Sequence, residues 1–212
     1  MIEFKNFSFS FPEQEIFRGV NLRFPLKKPV LIQGDNGSGK TTLARIISGL
    51  IPDYSGEILL KKKKLADFTE TEFADKIIYI KQEAEQNFVA ATLEEDLQIW
   101  QHGFSQIEKV GEERSRKKTF SKLKLTEISQ RLIWQLSGGQ RKRGSLAPLL
   151  LPNNKIWLLD EPAAGLDALS VKILLQLLKE KRAIIFSNRK SIYESLNPLE
   201  MEIVEKKIIR IN

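Results

Sequence analysis

Gly34-Asp35-Asn36-Gly37-Ser38-Gly39-Lys40-Thr41 is the first place in the chain where residue types and spacing add up to chemistry. The run fits G-x-x-x-x-G-K-[ST] in full. Glycines let successive backbone N–H groups converge on phosphate oxygens. A helix beginning at the loop turns the positive end of its dipole to the same anion. Gly34, Asn36, Gly37, Ser38 and Gly39, with Thr42 just beyond, are therefore expected to cradle a nucleotide. Lys40 is expected to meet the β- and γ-phosphates as a point charge, and the Thr41 hydroxyl to bind Mg2+. A plain glycine-rich turn is the alternative. Ile156-Trp157-Leu158-Leu159-Asp160-Glu161-Pro162 is the second signal: a buried strand with two acids at its carboxyl end, where open α/β sheets bind ligands. Asp160 suits Mg2+, directly or through water, and Glu161 suits orienting or deprotonating an attacking water. Two acids that end a strand and cap the next helix are the alternative there. Leu136-Ser137-Gly138-Gly139-Gln140 is the third, a Ser-Gly-Gly helix start able to bind an anion by itself.

Elements must hold these residues in place. Residues 2–33 read as β, because Ile2, Phe4, Phe7, Phe9 and Phe11 alternate with polar residues, with a slip at Lys5-Asn6 that predicts a bulge. Val30-Leu31-Ile32 is a short strand running into the phosphate loop, and residues 41–50 follow as a helix ended by Gly49 and Pro52. Strands are expected at 57–60, 77–80, 156–159 and 183–186, and helices at about 140–150 and at 169–180, the latter with Leu174, Leu175, Leu177 and Leu178 on its core side. The tail reads as a hairpin of 201–205 and 208–211 turning at Lys206-Lys207, and Lys61–Lys64 falls in another hairpin region. Short apolar strands alternating with helices predict an α/β fold with a mainly parallel, doubly covered sheet. Residues 92–135 stand apart as a helical insertion; between Ser105 and Arg131 eight Lys or Arg face four Asp or Glu, either a solvated face or a basic docking surface.

Composition sets the outer bounds. At 212 residues one domain with an insertion is expected, and 42% apolar with 29% charged residues argues against disorder. No cysteine is present, which excludes disulfides and thiolate chemistry, and a single His102 excludes a multi-histidine metal site. No apolar run approaches the ~20 residues of a membrane span, and the N-terminus lacks a signal-peptide pattern. A cytoplasmic location is therefore expected. Lys and Arg number 34 against 27 Asp and Glu, a net charge of +7 that favours nucleotide, nucleic acid or an acidic membrane face as partner.

In the order phosphate loop, Leu136–Gln140, Asp160-Glu161, the chain resembles the ATP-binding subunits of ABC transporters over nearly its whole length. The resemblance implies a P-loop NTPase fold of ABC type, with 1–91 and 136–212 as core plus antiparallel β-subdomain and 92–135 as helical subdomain. It places Phe11 where an aromatic stacks on adenine, a core phenylalanine being the alternative. It places Gln82 where a glutamine senses Mg2+ and the transmembrane partner, with a part in metal binding and catalysis. It puts Asp167, in Ala164-Gly165-Leu166-Asp167, at a loop that crosses the dimer interface. Ser137, Gly138, Gly139 and Gln140 would complete an ATP site on a second ABC subunit, copy or paralogue, in a head-to-tail dimer. One position departs from the pattern: Asn188, after the last buried strand, stands where the family has a switch histidine. Asn donates an amide hydrogen bond but cannot become cationic, so a weakened hydrolytic site is expected.

The segment 82–96, with Thr92-Leu93-Glu94-Glu95-Asp96, resembles the energy-coupling-factor group of cobalt, nickel and vitamin uptake ATPases. Thr92-Leu93-Glu94-Glu95 is also simply a good helix start. The implied function is ATP hydrolysis, with ATP and Mg2+, powering a membrane-embedded uptake transporter from the cytoplasmic face of the membrane. A regulatory nucleotide-binding subunit with a degenerate site, and a soluble ABC ATPase acting on nucleic acid, are the alternatives. No nucleic-acid partner is expected.

Overall fold

The computed structural model describes residues 1–103, 112–151 and 155–211. In chain order the elements are β1 (Ile2–Phe11), β2 (Gln14–Phe24), β3 (Val30–Gln33), α1 (Lys40–Ile47), β4 (Ser55–Leu60), β5 (Lys63–Lys64), α2 (Glu70–Lys76), β6 (Ile77–Ile80), α3 (Leu93–His102), α4 (Glu112–Leu123), α5 (Gly138–Ser145), β7 (Ile156–Asp160), α6 (Ala168–Leu178), β8 (Arg182–Phe186), α7 (Lys190–Tyr193), β9 (Leu199–Val204) and β10 (Lys207–Arg210). They form two compact units. The first comprises Met1–Tyr79, Lys155–Pro162 and Lys181–Asn212, the second Ile80–Asn154 and Ala163–Glu180.

The first unit holds two sheets. One is antiparallel, ordered β2-β1-β4-β5; the other is ordered β10-β9-β3-β8-β7-β6. In the second sheet β3 lies parallel to both β8 and β9, β7 is parallel to β8, and β10 closes the edge antiparallel to β9. The central strands β3, β7 and β8 carry continuous apolar runs because both faces are covered; Val30, Leu31, Leu158, Leu159, Ile184 and Ile185 are fully buried. Helix α1 lies in the core that joins the two sheets, burying Leu43, Ala44, Ile46 and Ile47 in one cluster with Phe4, Phe7 and Phe17 and with Ile32, Leu158 and Phe186. Each of these leucine, isoleucine and phenylalanine side chains contributes ~1.5–3 kcal/mol by leaving water. The bulge expected at Lys5-Asn6 is present: the β1–β2 register shifts between Phe4 and Phe7, and Asn6 takes a left-handed φ of 47°. Two two-residue hairpin turns use non-glycine residues in the same region, Lys61-Lys62 and Glu205-Lys206. The tail turn thus sits one residue earlier than its charge pattern suggested. Helix α1 likewise ends at Ile47 rather than reaching residue 50.

The second unit carries α3–α6. Thr92 starts α3 with a capping box, accepting from the Glu95 N–H at 3.2 Å while its own N–H donates to Glu95 at 3.1 Å. Leu93, Leu97, Phe120, Leu123, Leu125 and Leu136 are buried. Of the four leucines expected on the core side of α6, Leu174 and Leu178, one turn apart, are buried outright; Leu175 and Leu177 are half-buried. The helical 92–135 segment lies inside this unit, and residues 104–111 of its basic run fall outside the described residues. Among the described residues no helix is long and apolar enough to cross a membrane.

Candidate functional site

Strand β3 delivers the chain to residues 34–39, and α1 carries it away. Gly39 has φ 106°, and a Cβ there would lie 2.5 Å from Ile16 Cγ2 and 2.9 Å from Phe17 Cζ, so glycine is required by both torsion and space. Gly37 has φ 82° with nothing within 4 Å of a Cβ, a purely torsional requirement on an open face. Lys40 is only 8% exposed, and its ammonium donates to the carbonyls of Gly34 at 2.5 Å and Asp35 at 2.9 Å. A phosphate oxygen offers the same ammonium a stronger, charged partner. Asn36 is exposed and Thr42 half-buried. Ser38 Oγ is buried without a hydrogen-bond partner among the described residues, a donor left over at the middle of the loop.

Strand β7 brings the acids to this loop. Thr41 Oγ1 donates to Asp160 Oδ2 at 2.6 Å, and the Tyr79 hydroxyl donates to the same oxygen at 3.2 Å. Asp160 is 2% exposed. Burial pushes its carboxyl above the ordinary range; the Thr41 and Tyr79 hydroxyls pull the other way, the Glu161 charge adds to the rise, and Lys40 opposes it. Burial, then the Asp160 charge, likewise raises the Tyr79 phenol. Glu161 takes φ 43°, a strained conformation for a non-glycine residue costing ~1–3 kcal/mol. Its N–H donates to Phe186 O at 2.9 Å. Its carboxylate accepts from Ser187 Oγ at 2.8 Å and from the Asn188 N–H at 3.2 Å. The phosphate loop, Thr41, Asp160, Glu161 and Asn188 are therefore brought together within the first unit. The Thr41 hydroxyl and the Asp160 carboxylate, 2.6 Å apart, are a pair of hard-oxygen donors that fits Mg2+ with phosphate, an ion that takes one or two protein oxygens and completes its shell with substrate and water.

Phe11 ends β1 43% exposed, edge-to-face on Phe9 with centroids 5.0 Å apart. An exposed ring is free to stack on a base.

The second unit positions the remaining residues. Lys142, 5% exposed, donates to the Gln82 carbonyl at 2.6 Å. Asn87 braces the same stretch, accepting from the Lys81 N–H at 2.8 Å and donating to Lys81 O and Glu83 O. Arg141 pairs with Glu85 at 2.7 Å. Ser137 caps α5: its hydroxyl accepts from the Gln140 N–H at 3.3 Å, and the Gln140 side chain accepts from the Ser137 N–H at 2.8 Å. Among the described residues no atom comes within 4 Å of a Cβ built on Gly138, and the nearest to one on Gly139 is Arg143 Nη1 at 3.9 Å. Asp167 caps α6 through the Ser170 N–H at 2.7 Å, which holds its carboxyl below the usual range, and it faces Arg143 at 3.5 Å.

Sequence reasoning missed Tyr79, Ser187, Asn87 and Lys142. Tyr79 was hidden in the aliphatic run IIYI, where its hydroxyl was the one clue. Ser187 was overshadowed by its neighbour Asn188. The contacts of Asn87 with Lys81 and Glu83, and that of Lys142 with Gln82, are to backbone groups, which leave no mark in sequence.

The ABC transporter family model matches residues 17–164. The cytochrome c biogenesis ATP-binding export protein CcmA of Reclinomonas americana is 35% identical over 77% of this chain and 71% of its own length. The glutathione/L-cysteine transport system ATP-binding/permease protein CydC of Haemophilus influenzae is 31% identical over 94% of this chain. The chain spans 36% of CydC's length and 32–34% of three further relatives. Among solved structures, a dimeric ATP-binding cassette in a post-hydrolysis state with ADP and phosphate superimposes with TM-score 0.82 at 22% identity, covering 100% of this chain and 99% of that one. The cbiO1 protein of Clostridium perfringens, part of the transporter complex cbiONQ, gives TM-score 0.78 at 21% identity, covering 98% of this chain and 86% of that one. At these identities the structural likeness shows the fold, which is that of an ABC ATPase cassette.

Proposed function

The chain belongs to the ABC transporter family, and on that premise we propose that it binds ATP at the first unit's phosphate loop and hydrolyses it to drive a membrane transporter. The observation that carries this reading is the convergence of Lys40, the Thr41–Asp160 contact at 2.6 Å and the doubly held Glu161 on one loop. Lys40 exchanges its loop carbonyls for the β- and γ-phosphates, and Ser38 Oγ donates to a phosphate oxygen. Phe11 supplies a stacking face for adenine. Thr41 and Asp160 would hold Mg2+, Gln82 being the further ligand that the family resemblance implies, and the ion would supply positive charge against that developing on the phosphoryl oxygens. Glu161 orients the attacking water and accepts its proton. Ser137, Gly138, Gly139 and Gln140, with Asp167 at the dimer interface, complete the ATP site of a second ABC subunit, so each site needs both chains. Asn188 offers a neutral amide where a cationic histidine would assist, and we read turnover at this chain's own site as reduced for that reason.

The chain would act as a peripheral subunit on the cytoplasmic face, docked to a membrane-embedded subunit. Uptake of the energy-coupling-factor kind is the finer reading, resting on residues 82–96 and in keeping with the fold shared with cbiO1. Export is the second reading, favoured by the 35% identity to a protein named for export. The test of hydrolysis is Glu161→Gln in the complex recovered from membranes. ATP binding is expected to persist while turnover falls about a hundredfold or more, the loss expected for a general base. Undiminished turnover would remove Glu161 from the mechanism.

A further inference from the structure

The chain leaves β8 at Phe186, and the next residue does more than cross to α7. Ser187 is 1% exposed, and its N–H donates to Ile32 O at 3.1 Å, which fixes it to the strand that feeds the phosphate loop. Its hydroxyl accepts from the Arg189 N–H at 3.2 Å. A serine hydroxyl has one proton and two lone pairs. With a lone pair committed to Arg189, the single proton is directed to Glu161 Oε2 at 2.8 Å. The Asn188 N–H meets the other oxygen, Oε1, at 3.2 Å. Neighbouring groups of one turn thus hold both oxygens of the same carboxylate, and burial of Ser187 keeps water from competing for the hydroxyl. Each carboxylate oxygen keeps a lone pair, so Glu161 can still accept a proton from water while its plane is fixed.

The contribution of residue 188 to this clamp comes from its backbone, which any residue but proline supplies. The side-chain contribution comes from residue 187. Glu161 needs such a hold, because its φ of 43° lies outside the conformations that most side chains favour.

We propose that Ser187 is a positioning residue for hydrolysis: its hydroxyl holds the Glu161 carboxylate in the plane from which it meets the attacking water. The proposal rests on the reading of Glu161 as the group that activates water. A positioning role predicts a loss in kcat and none in nucleotide affinity, since Ser187 is not assigned to the phosphates. It also predicts that the hydroxyl, rather than the small size of the side chain, is what matters.

The experiment compares the wild-type chain with Ser187→Ala, Ser187→Thr and Glu161→Gln in the membrane complex, with Mg-ATP as substrate. Affinity for a fluorescent ATP analogue is measured on the same preparations. Ser187→Ala is expected to lower kcat about tenfold, the scale of one misplaced reacting group, while KM and analogue affinity stay within about twofold. Ser187→Thr is expected to restore kcat to within about threefold of wild type, because it keeps the hydroxyl. If Ser187→Ala is not recovered folded, Ser187→Cys, nearly isosteric but a weak donor, is expected to show the same kcat loss. An unchanged kcat in Ser187→Ala beside an inactive Glu161→Gln overturns the Ser187 proposal alone. A Ser187→Thr as slow as Ser187→Ala, or a loss of analogue affinity equal to the loss of kcat, also overturns it in favour of a packing role. Full turnover in Glu161→Gln overturns both this proposal and the assignment on which it rests.

Discussion

Gly39 and Gly37 share a left-handed backbone but not an environment, and that difference separates two costs. At Gly39 an added methyl meets Ile16 Cγ2 at 2.5 Å and Phe17 Cζ at 2.9 Å, both in the core cluster. At Gly37 it meets nothing within 4 Å. Gly37→Ala is therefore expected to cost only the torsional penalty, ~1 kcal/mol, and Gly39→Ala that penalty plus overpacking, ~2–4 kcal/mol in all. The measurement is the shift in urea midpoint at unchanged m-value; equal shifts would show that Ile16 and Phe17 give way freely. The demand at Gly39 was legible in the sequence, since the G-x-x-x-x-G-K-[ST] pattern fixes a glycine there, whereas Gly37 falls at one of its variable positions. Lys40, Thr41, Asp160 and Glu161 were legible too, their types being dictated by chemistry. The contact with Ile16 and Phe17 was not, because it depends on how the antiparallel sheet lies over α1. Tyr79 and Ser187 escaped for a related reason: each acts through one hydroxyl on a residue far away in sequence, Asp160 for one and Glu161 for the other.

At the scale of elements, local chemistry was legible and pairing was not. Thr92 and Glu95 announced the start of α3, and the capping box stands where they placed it. Thr92→Ala removes the acceptor for the Glu95 N–H and is expected to cost ~1 kcal/mol, with Thr92→Ser nearly neutral. Chemical denaturation checks the cost, and faster amide exchange in the first turn of α3 locates it. Equal stability of wild type and Thr92→Ala would mean that the buried Leu93 and Leu97, rather than the cap, fix this helix end. Alternation and short apolar runs placed β1, β3, β4 and β6–β10 within a few residues, while β2 lay undivided inside the stretch 2–33 and β5 inside a hairpin region. What they could not give is the order β10-β9-β3-β8-β7-β6, in which the phosphate-loop strand lies between β9 and β8. That order follows from side-chain complementarity across the sheet. It is what brings Ser187, at the end of β8, to Ile32 of β3 and to Glu161 beyond β7. Leu175 and Leu177 show the same limit. Four leucines suggested a broad apolar stripe on α6, but one turn's spacing selects Leu174 and Leu178, and the other two stay half-buried.

For the whole molecule the question is what stands opposite α5. Among the described residues the N-terminus of α5 is open: none brings an atom within 4 Å of a Cβ on Gly138, and Arg143 Nη1 is the nearest to one on Gly139. Ser137 Oγ serves the helix as a cap, yet keeps its proton for an outside acceptor. A helix start so presented suits an anion brought by another chain, and family membership makes the γ-phosphate of a partner-bound ATP the natural candidate. The net charge of +7 allows a different partner, nucleic acid, and charge alone does not choose between them. Salt does. Phosphate-backbone binding weakens steeply with ionic strength, whereas a docked, largely apolar subunit interface is much less sensitive. A tagged chain at low expression is therefore expected to fractionate with gently prepared membranes and to stay there through a high-salt wash. Mild detergent should then release it with a membrane protein and a second ABC ATPase, or a second copy of itself. Copurification with a paralogue would make the Asn188 site the weaker half of a heterodimer, with this chain's Ser137–Gln140 serving the stronger half. Recovery from the soluble fraction with nucleic acid, lost on raising the salt, would refute the transporter reading and assign the positive charge to that ligand.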